Sequence, residues 1–326
     1  MYSYVNKKLN ELERKAYVIW VLFLDIFRRE NGYIKRNIGN HIMYLDPNDA
    51  KTGISQTLRR MQPGKPDREP CFMHILKEEV KSDMVTLDLG ANIGYITLIM
   101  AEIVGKKGKV YALEPDENNF KILTENIKLN GYKNVISPYH LGGSNKTGNL
   151  IFYRSSASNL GSMTKTKHAN IPVKVPVTTM DEFFKDKEYP NFIKMDIEGH
   201  EVEVLESMCK TFKDNSFPTK ILMEVHPQYY SENHNLEIEL KKLVNIGFKT
   251  KYVVSAGIAE PAYFIENNYK PLISYDIPGT KLARSIYANV SDEHMFFATC
   301  GNHRYFNKKL NKYTNHAVRA LMLERN

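Results

Sequence analysis

The sequence predicts an α/β protein: a doubly wound, mostly parallel sheet with helices on both faces. Three observations carry this. Apolar runs of strand length alternate with helix-length segments from residue 84 to beyond residue 250, the rhythm of a parallel sheet with crossover helices. The first run, Met84–Leu89, leads straight into a glycine turn and then a helix. Three runs end on acids, Asp88, Asp196 and Glu224, at the strand ends where open parallel sheets bind ligands. With the first strand beside the fourth, and the fourth beside the fifth, these acids face one crevice.

The elements follow in order. Residues 5–29 read as a helix. Residues 32–45 alternate around Tyr33, Ile34, Ile38, Ile42 and Tyr44 and read as a hairpin or two short strands. Residues 62–70 are rich in proline and glycine and mark a boundary. A helix over 72–79 precedes the first core strand. The helix over 95–104 ends at Gly105, and the second strand is 110–114. A helix over 115–130 closes at Gly131, and the third strand is 135–141. Residues 142–178 break the rhythm, with paired strands over 150–154 and 171–177 forming an inserted hairpin. Thr179-Met-Asp-Glu182 has capping-box spacing and starts a helix. Then come a strand over 192–196, a helix over 201–209 and a strand over 220–225. A helix over 236–245 and strands over 248–254 and 294–299 complete the pattern. The expected organisation is an N-terminal extension over 1–70, a core domain over 71–300, and a basic, helix-prone tail over 301–326.

Composition narrows the class. The chain has 326 residues, 42% hydrophobic and 25% charged, with a net charge of +8. These are ordinary values for a globular protein, and the mild basic bias is explained by a solvated surface as well as by an acidic partner. Cys71, Cys209 and Cys300 are far apart, so neither a disulfide framework nor a zinc site is indicated. A reducing compartment follows, and the N-terminus lacks the apolar core of a signal peptide, so a cytoplasmic protein is expected. Residues 16–24 are apolar, with Arg14 and Lys15 before them and Arg28 and Arg29 after. The run is too short to span a bilayer. Val18, Trp20, Val21, Leu22 and Leu24 are expected to pack on the sheet or a second subunit. Peripheral membrane contact through 16–27 is the alternative.

The chemistry is carried by spacing. The loop Leu87-Asp-Leu-Gly-Ala-Asn-Ile-Gly-Tyr95 has the pattern D-x-G-x-N-x-G. The dinucleotide fingerprint would be G-x-G-x-x-G, whose glycines let backbone approach a pyrophosphate. Here Asp88 and Asn92 stand where a pyrophosphate would bring negative charge. Twenty residues past Gly94, Glu114 ends the next strand, at the distance of an acid that binds ribose hydroxyls. A ligand with a ribose and a cationic amino-acid end fits, and S-adenosylmethionine has both.

Four segments, in order, resemble the FkbM family of S-adenosylmethionine-dependent methyltransferases. They are the glycine loop, Val110-Tyr-Ala-Leu-Glu-Pro-Asp116, Ile193-Lys-Met-Asp-Ile-Glu-Gly-His-Glu-Val-Glu-Val-Leu205, and Met223-Glu-Val-His226, with Val177-Thr-Thr-Met-Asp181 beside them. The resemblance spans about residues 80–300 and implies a seven-stranded class I methyltransferase sheet and methylation of sugar or natural-product hydroxyls. It implies that Asp88, Gly90, Ala91, Asn92, Gly94 and Tyr95 hold the methionine end of the cofactor. Glu114 and Pro115 would serve the ribose, Asp116 and the backbone near Leu141 and Gly142 the adenine, and Asp196 would face the methyl group. His200 departs from the small residue usual at its position and reads as a solvated side chain.

The second acidic motif is open to three readings. Asp196 and Glu198 share a face in extended chain, and Glu224 and His226 repeat the spacing on the next strand. These four residues could orient a sugar, with His226 as general base. They could hold a divalent metal, which is not favoured. Glu198 could instead cap backbone at the start of the next helix. The expected partner is a small-molecule or glycan acceptor, and a homo-oligomer is compatible with the apolar N-terminus. Nucleic acid is not favoured: the position after strand four reads Asp-Ile-Glu-Gly rather than Asp/Asn-Pro-Pro-Tyr, and no basic stripe with interleaved aromatics is evident. A non-catalytic cofactor-binding scaffold is the rival from another class.

Overall fold

The apolar runs pair into one large sheet in the computed structural model. It describes residues 16, 19, 20, 23, 25, 27–61, 68–214, 217–256, 262–277, 283–300, 305–307, 312–314 and 318–325. The N-terminal part holds β1 (Arg29–Glu30), β2 (Tyr33–Ile38) and β3 (His41–Leu45), an antiparallel sheet of its own, followed by α1 (Ile54–Arg59) and α2 (Pro70–Glu79). The core begins with β4 (Val85–Leu89), α3 (Tyr95–Val104), β5 (Lys109–Leu113), α4 (Glu117–Leu129) and β6 (Ile136–Tyr139). The insertion contributes β7 (Gly142–Gly143), β8 (Gly148–Ser155) and β9 (Ala169–Thr178), and α5 (Met180–Phe184) leads back. Next come β10 (Phe192–Met195), α6 (Glu201–Asp214), β11 (Thr219–Glu224), α7 (Leu236–Asn245) and β12 (Lys249–Ser255). The chain ends with α8 (Ala262–Glu266), β13 (Ile273–Asp276), β14 (Ala283–Ala288), α9 (Asp292–Cys300), β15 (Tyr305–Asn307), β16 (Lys312–Thr314) and β17 (Val318–Arg325).

The main sheet runs β13-β14-β12-β17-β11-β10-β4-β5-β6. Five neighbours, β11-β10-β4-β5-β6, are parallel. The other half is antiparallel. The expected seven-stranded, mostly parallel sheet is thus corrected: nine strands are described, because β13 and β14 continue the ladder beyond β12. Side chains alternate between two cores. Val110 and Ala112 join the cluster with α2, α3 and α4, while Tyr111 and Leu113 join the one with α5, α6, α7 and α9. Helices therefore cover both faces, as a doubly wound sheet requires.

Two C-terminal expectations are overturned. Residues 294–299 are helix rather than strand: Ser291 Oγ accepts from the His294 N–H at 3.2 Å, and Met295, Ala298 and Thr299 are buried at helical spacing. The tail is not helical over 318–325, although Ala, Leu, Met, Glu and Arg favour helix. It inserts as β17 between β11 and β12, where Ala320 to Leu323 are buried on both faces of the sheet. Tertiary burial of a continuous apolar run overrides propensity here.

The N-terminal sheet packs on the core. Asn126 of α4 accepts from the Tyr44 N–H at 2.6 Å and donates to the carbonyls of Tyr44 and Ile93, so one amide joins β3 to the glycine loop. In the expected first helix, Ala16, Ile19, Trp20 and Phe23 are helical. Ile19, Trp20, Phe23 and Phe27 are 58–75% exposed, so this described face does not pack on the sheet as expected for Trp20. Val18, Val21, Leu22 and Leu24 lie outside the described residues. Among the described residues no helix is long and apolar enough to cross a membrane.

Candidate active site

The crevice opens at the carboxyl ends of β4, β5 and β10. It encloses about 910 Å³ of space, counted to its open mouth, within the size range of small-molecule sites. Gly90, Ala91, Asn92 and Tyr95 line it, as do Glu114, Pro115, Leu141, Gly142, Asp196 and Glu198. The structure brings these ten expected site residues together around one crevice.

Gly90 is required by close approach. It has φ 79°, and a Cβ there would stand 2.1 Å from the Asp196 carbonyl oxygen. Asn92 takes φ 52°, uncommon for a residue with a side chain. It is held there by its own amide, whose Nδ2 donates to the Ser158 carbonyl at 3.0 Å. Glu114 fixes the loop from the next strand. Its Oε2 accepts from the Asn92 N–H at 2.8 Å and its Oε1 from the Asp116 N–H at 2.9 Å. Asn119 also hydrogen-bonds this carboxylate, which still has an acceptor position left for a ribose hydroxyl in the crevice that it lines. Burial pushes the Glu114 carboxyl up to about 7. The residues present therefore fit an adenosine-bearing cofactor.

Three expected cofactor residues do not line the crevice. Asp88 is fully buried, with Oδ1 2.9 Å from Lys194 Nζ and Oδ2 accepting from the Thr97 hydroxyl at 2.6 Å. It shapes the loop from beneath. Gly94, with φ 92°, opens α3, and a Cβ there would press on Leu123 at 2.8 Å. Its left-handed backbone, rather than the approach of a ligand, requires this glycine. Asp116 caps α4, accepting from the N–H groups of Asn118 and Asn119, and pairs with Arg154. Its position just before a helix is an N-cap signal. The sequence expects the insertion over 142–178 to help build an acceptor pocket but names none of Phe152, Ser158, Asn159, Gly161 and Met163, which bring it onto the crevice wall.

Beyond Asp196 lies an acid–imidazole cluster. His226 is 2% exposed. Its Nδ1 is 2.8 Å from Glu201 Oε1, and Glu201 also accepts from Tyr230 Oη at 3.1 Å and the Gly199 N–H at 3.1 Å. That third-party grip orients the ring. Its Nε2 has no well-formed hydrogen bond. It faces Glu224 Oε1 at 3.3 Å, Glu198 Oε2 at 3.5 Å and Asp196 Oδ1 at 3.9 Å. Glu224 is also paired with Arg319. Glu201, which the sequence places in the segment resembling the family but gives no site role, is the hub of this arrangement.

His226 stands behind the carboxylates rather than on the crevice wall, whereas Asp196 and Glu198 reach it. Burial, against which the carboxylates Glu201, Glu224 and Glu198 prevail, leaves His226 well above its ordinary value. Burial, with Asp196, Glu224 and Glu201 nearby, raises Glu198 to about 8. For Asp196, burial is outweighed by Lys194, His226, Arg319 and Arg68, and the carboxyl is held low. Glu198 takes φ 49° in the turn before α6, a conformation usually kept where surroundings over-determine it. The backbone grip at this turn belongs to Glu201. His200 is buried rather than solvated, with Nε2 3.0 Å from Ser144 Oγ and Nδ1 3.3 Å from Glu203. Oxygen or nitrogen atoms of Asp196, Glu198 and His226 lie within 4.8 Å of one another, compact enough to be tested as a cation site.

The FkbM methyltransferase domain matches residues 88–250, half of the chain. The chain belongs to this methyltransferase family. The hexuronic acid methyltransferase AglP of Haloferax volcanii is 31% identical over 160 residues, 48% of this chain; the match spans 62% of that relative's length. A structure of Methyltransferase FkbM from Methylobacillus flagellatus KT is 18% identical. It covers 64% of this chain and 44% of that one at a TM-score of 0.36. TYW2 of M. jannaschii, solved with AdoMet, is 16% identical. It covers 80% of this chain and 89% of that one at a TM-score of 0.36.

Proposed function

We propose that the protein is an S-adenosylmethionine-dependent O-methyltransferase acting on a hydroxyl of a sugar or glycan. The family supports methyl transfer, and the likeness to a hexuronic acid methyltransferase supports a carbohydrate acceptor. When bound, the cofactor supplies a methyl group on a sulfonium, already a good leaving group. Glu114 accepts from the ribose hydroxyls, and the backbone of Gly90 to Asn92 lies along the amino-acid end. Asp196 and Glu198 accept hydrogen bonds from the sugar and align one hydroxyl for in-line attack, a positioning effect that supplies much of such a rate enhancement.

A hydroxyl needs a base within hydrogen-bond reach. The single observation that carries the assignment is Glu198, at the crevice wall with its conjugate acid near 8. Glu198 takes the acceptor proton on Oε, and His226, behind it and steadied by Glu201, supports the carboxylate. The base therefore moves from the expected His226 to Glu198. Glycan fractions incubated with the protein and cofactor labelled in the methyl group test the reading. Label should appear as a base-stable methyl ether on a sugar; label confined to protein, nucleic acid or no fraction overturns it.

A further inference from the structure

Nearly every cation around the crevice is committed to a partner. Lys194 Nζ meets Asp88 and the carbonyls of Leu89 and Gly90 at 3.2 and 2.8 Å. Arg319 pairs with Glu224 and lies 3.7 Å from Glu69, and Arg284 pairs with Glu69. Arg68 is different. It lines the crevice and also the smaller adjoining pocket with Tyr95, Ile96, Asp196 and Glu224. It is half-buried, yet makes no hydrogen bond or ion pair among the described residues. The guanidinium is close enough to help hold the Asp196 carboxyl low.

Its backbone is anchored. Glu69 follows in the left-handed region at φ 53°, gripped by Arg284 and Arg319, and Pro70 then opens α2. Arg68 is thus carried by a fixed corner at the Asp196 end of the crevice, away from Glu114. The proposed function brings an amino-acid carboxylate to that end, where the protein otherwise presents acids: Asp196, Glu198 and Glu224. A planar guanidinium matches a carboxylate with two parallel hydrogen bonds.

We propose that Arg68 is the carboxylate anchor of the crevice and receives the α-carboxylate of the cofactor's amino-acid end. This rests on the cofactor reading above. The same chemistry could come from an acidic acceptor, so the test separates the two sources. Calorimetry on the full chain would compare S-adenosylhomocysteine with 5′-methylthioadenosine, which lacks the amino acid. Arg68→Gln should weaken S-adenosylhomocysteine about ten- to hundredfold, the scale of a charged hydrogen-bond pair, and leave methylthioadenosine unchanged. Arg68→Lys should recover part of the loss. If S-adenosylhomocysteine is unaffected but glucuronate no longer binds the S-adenosylhomocysteine-saturated variant, the anchor stands and serves the acceptor. Equal weakening of both nucleosides, or no change in any ligand, overturns the proposal. A wild-type protein that binds neither nucleoside refutes the cofactor reading itself.

Discussion

Lys194 reaches from β10 to Asp88 at the end of β4, its ammonium 2.9 Å from Oδ1, with both side chains at most 2% exposed. The strands are paired in register there, Lys194 opposite Asp88. Burial alone would pull the Lys194 ammonium down, but Asp88 and Asp196 reverse this and hold it above its ordinary value. The pair explains why the first acid of the glycine loop is not free for a ligand. It also ties the K-x-D motif to the loop, because the same ammonium reaches the carbonyls of Leu89 and Gly90.

Breaking this pair should cost more than removing it. Lys194→Met leaves Asp88 charged and buried with no counter-charge. The expected loss is about 3–5 kcal/mol of folding stability. Adding Asp88→Asn should return part of it. Urea unfolding of the two variants checks this, and a Lys194→Met protein as stable as wild type would refute the structural role.

Glu114 couples cofactor binding to pH. Glu114→Gln should weaken S-adenosylhomocysteine by about 1–3 kcal/mol, since one carboxylate acceptor is lost. Burial raises the free carboxyl to about 7, and ribose hydroxyls donate to its ionised form. Binding below that pH must therefore release a proton. Affinity should fall about tenfold for each unit below about 7 and level off above it. Calorimetry across pH would show this slope in wild type and its absence in Glu114→Gln.

The parts of the fold legible in the sequence are those where pattern and packing agree. The helices over 95–104 and 236–245 begin and end where periodicity and glycine placed them. The inserted hairpin also pairs as expected, Phe152 opposite Val173. Val318–Arg325 was illegible because its residues favour helix and only the slot between β11 and β12 makes it a strand. At the site, strand-end acids were legible as positions but not as depths. Asp88 and His226 sit one layer too deep, and whether a strand-end residue faces a crevice depends on neighbours far away in sequence. Glu201 is legible as part of a motif but not as a hub, because Tyr230 and His226, which meet it, lie 25 or more residues away in sequence.

Metal dependence is tested by a chelator. Asp196, Glu198 and His226 are compactly placed, but Arg319 on Glu224 and a cationic His226 already bring positive charge to the cluster. Turnover of protein purified without added metal should be unchanged by excess EDTA. Loss on chelation and recovery with a divalent ion would make these three residues ligands instead.

The last prediction separates the base from its support. Glu198→Gln should keep cofactor affinity and lose roughly 10²–10⁴ in turnover, the usual scale for removing a general base. In wild type the conjugate acid near 8 must lose its proton before the acceptor binds, so kcat/KM should rise with pH through about 8. His226 is cationic near neutrality and favours the ionised Glu198, lowering its pKa. Replacing it by Asn removes that cation, so Glu198 should ionise later and the acidic limb should move to higher pH. At a pH well above the shifted limb, His226→Asn should recover much of its turnover, which a variant lacking the base itself would not. The experiment is a pair of pH–rate profiles with S-adenosylhomocysteine affinity measured alongside. A limb that disappears in His226→Asn, with turnover that no rise in pH restores, would return the base to the imidazole.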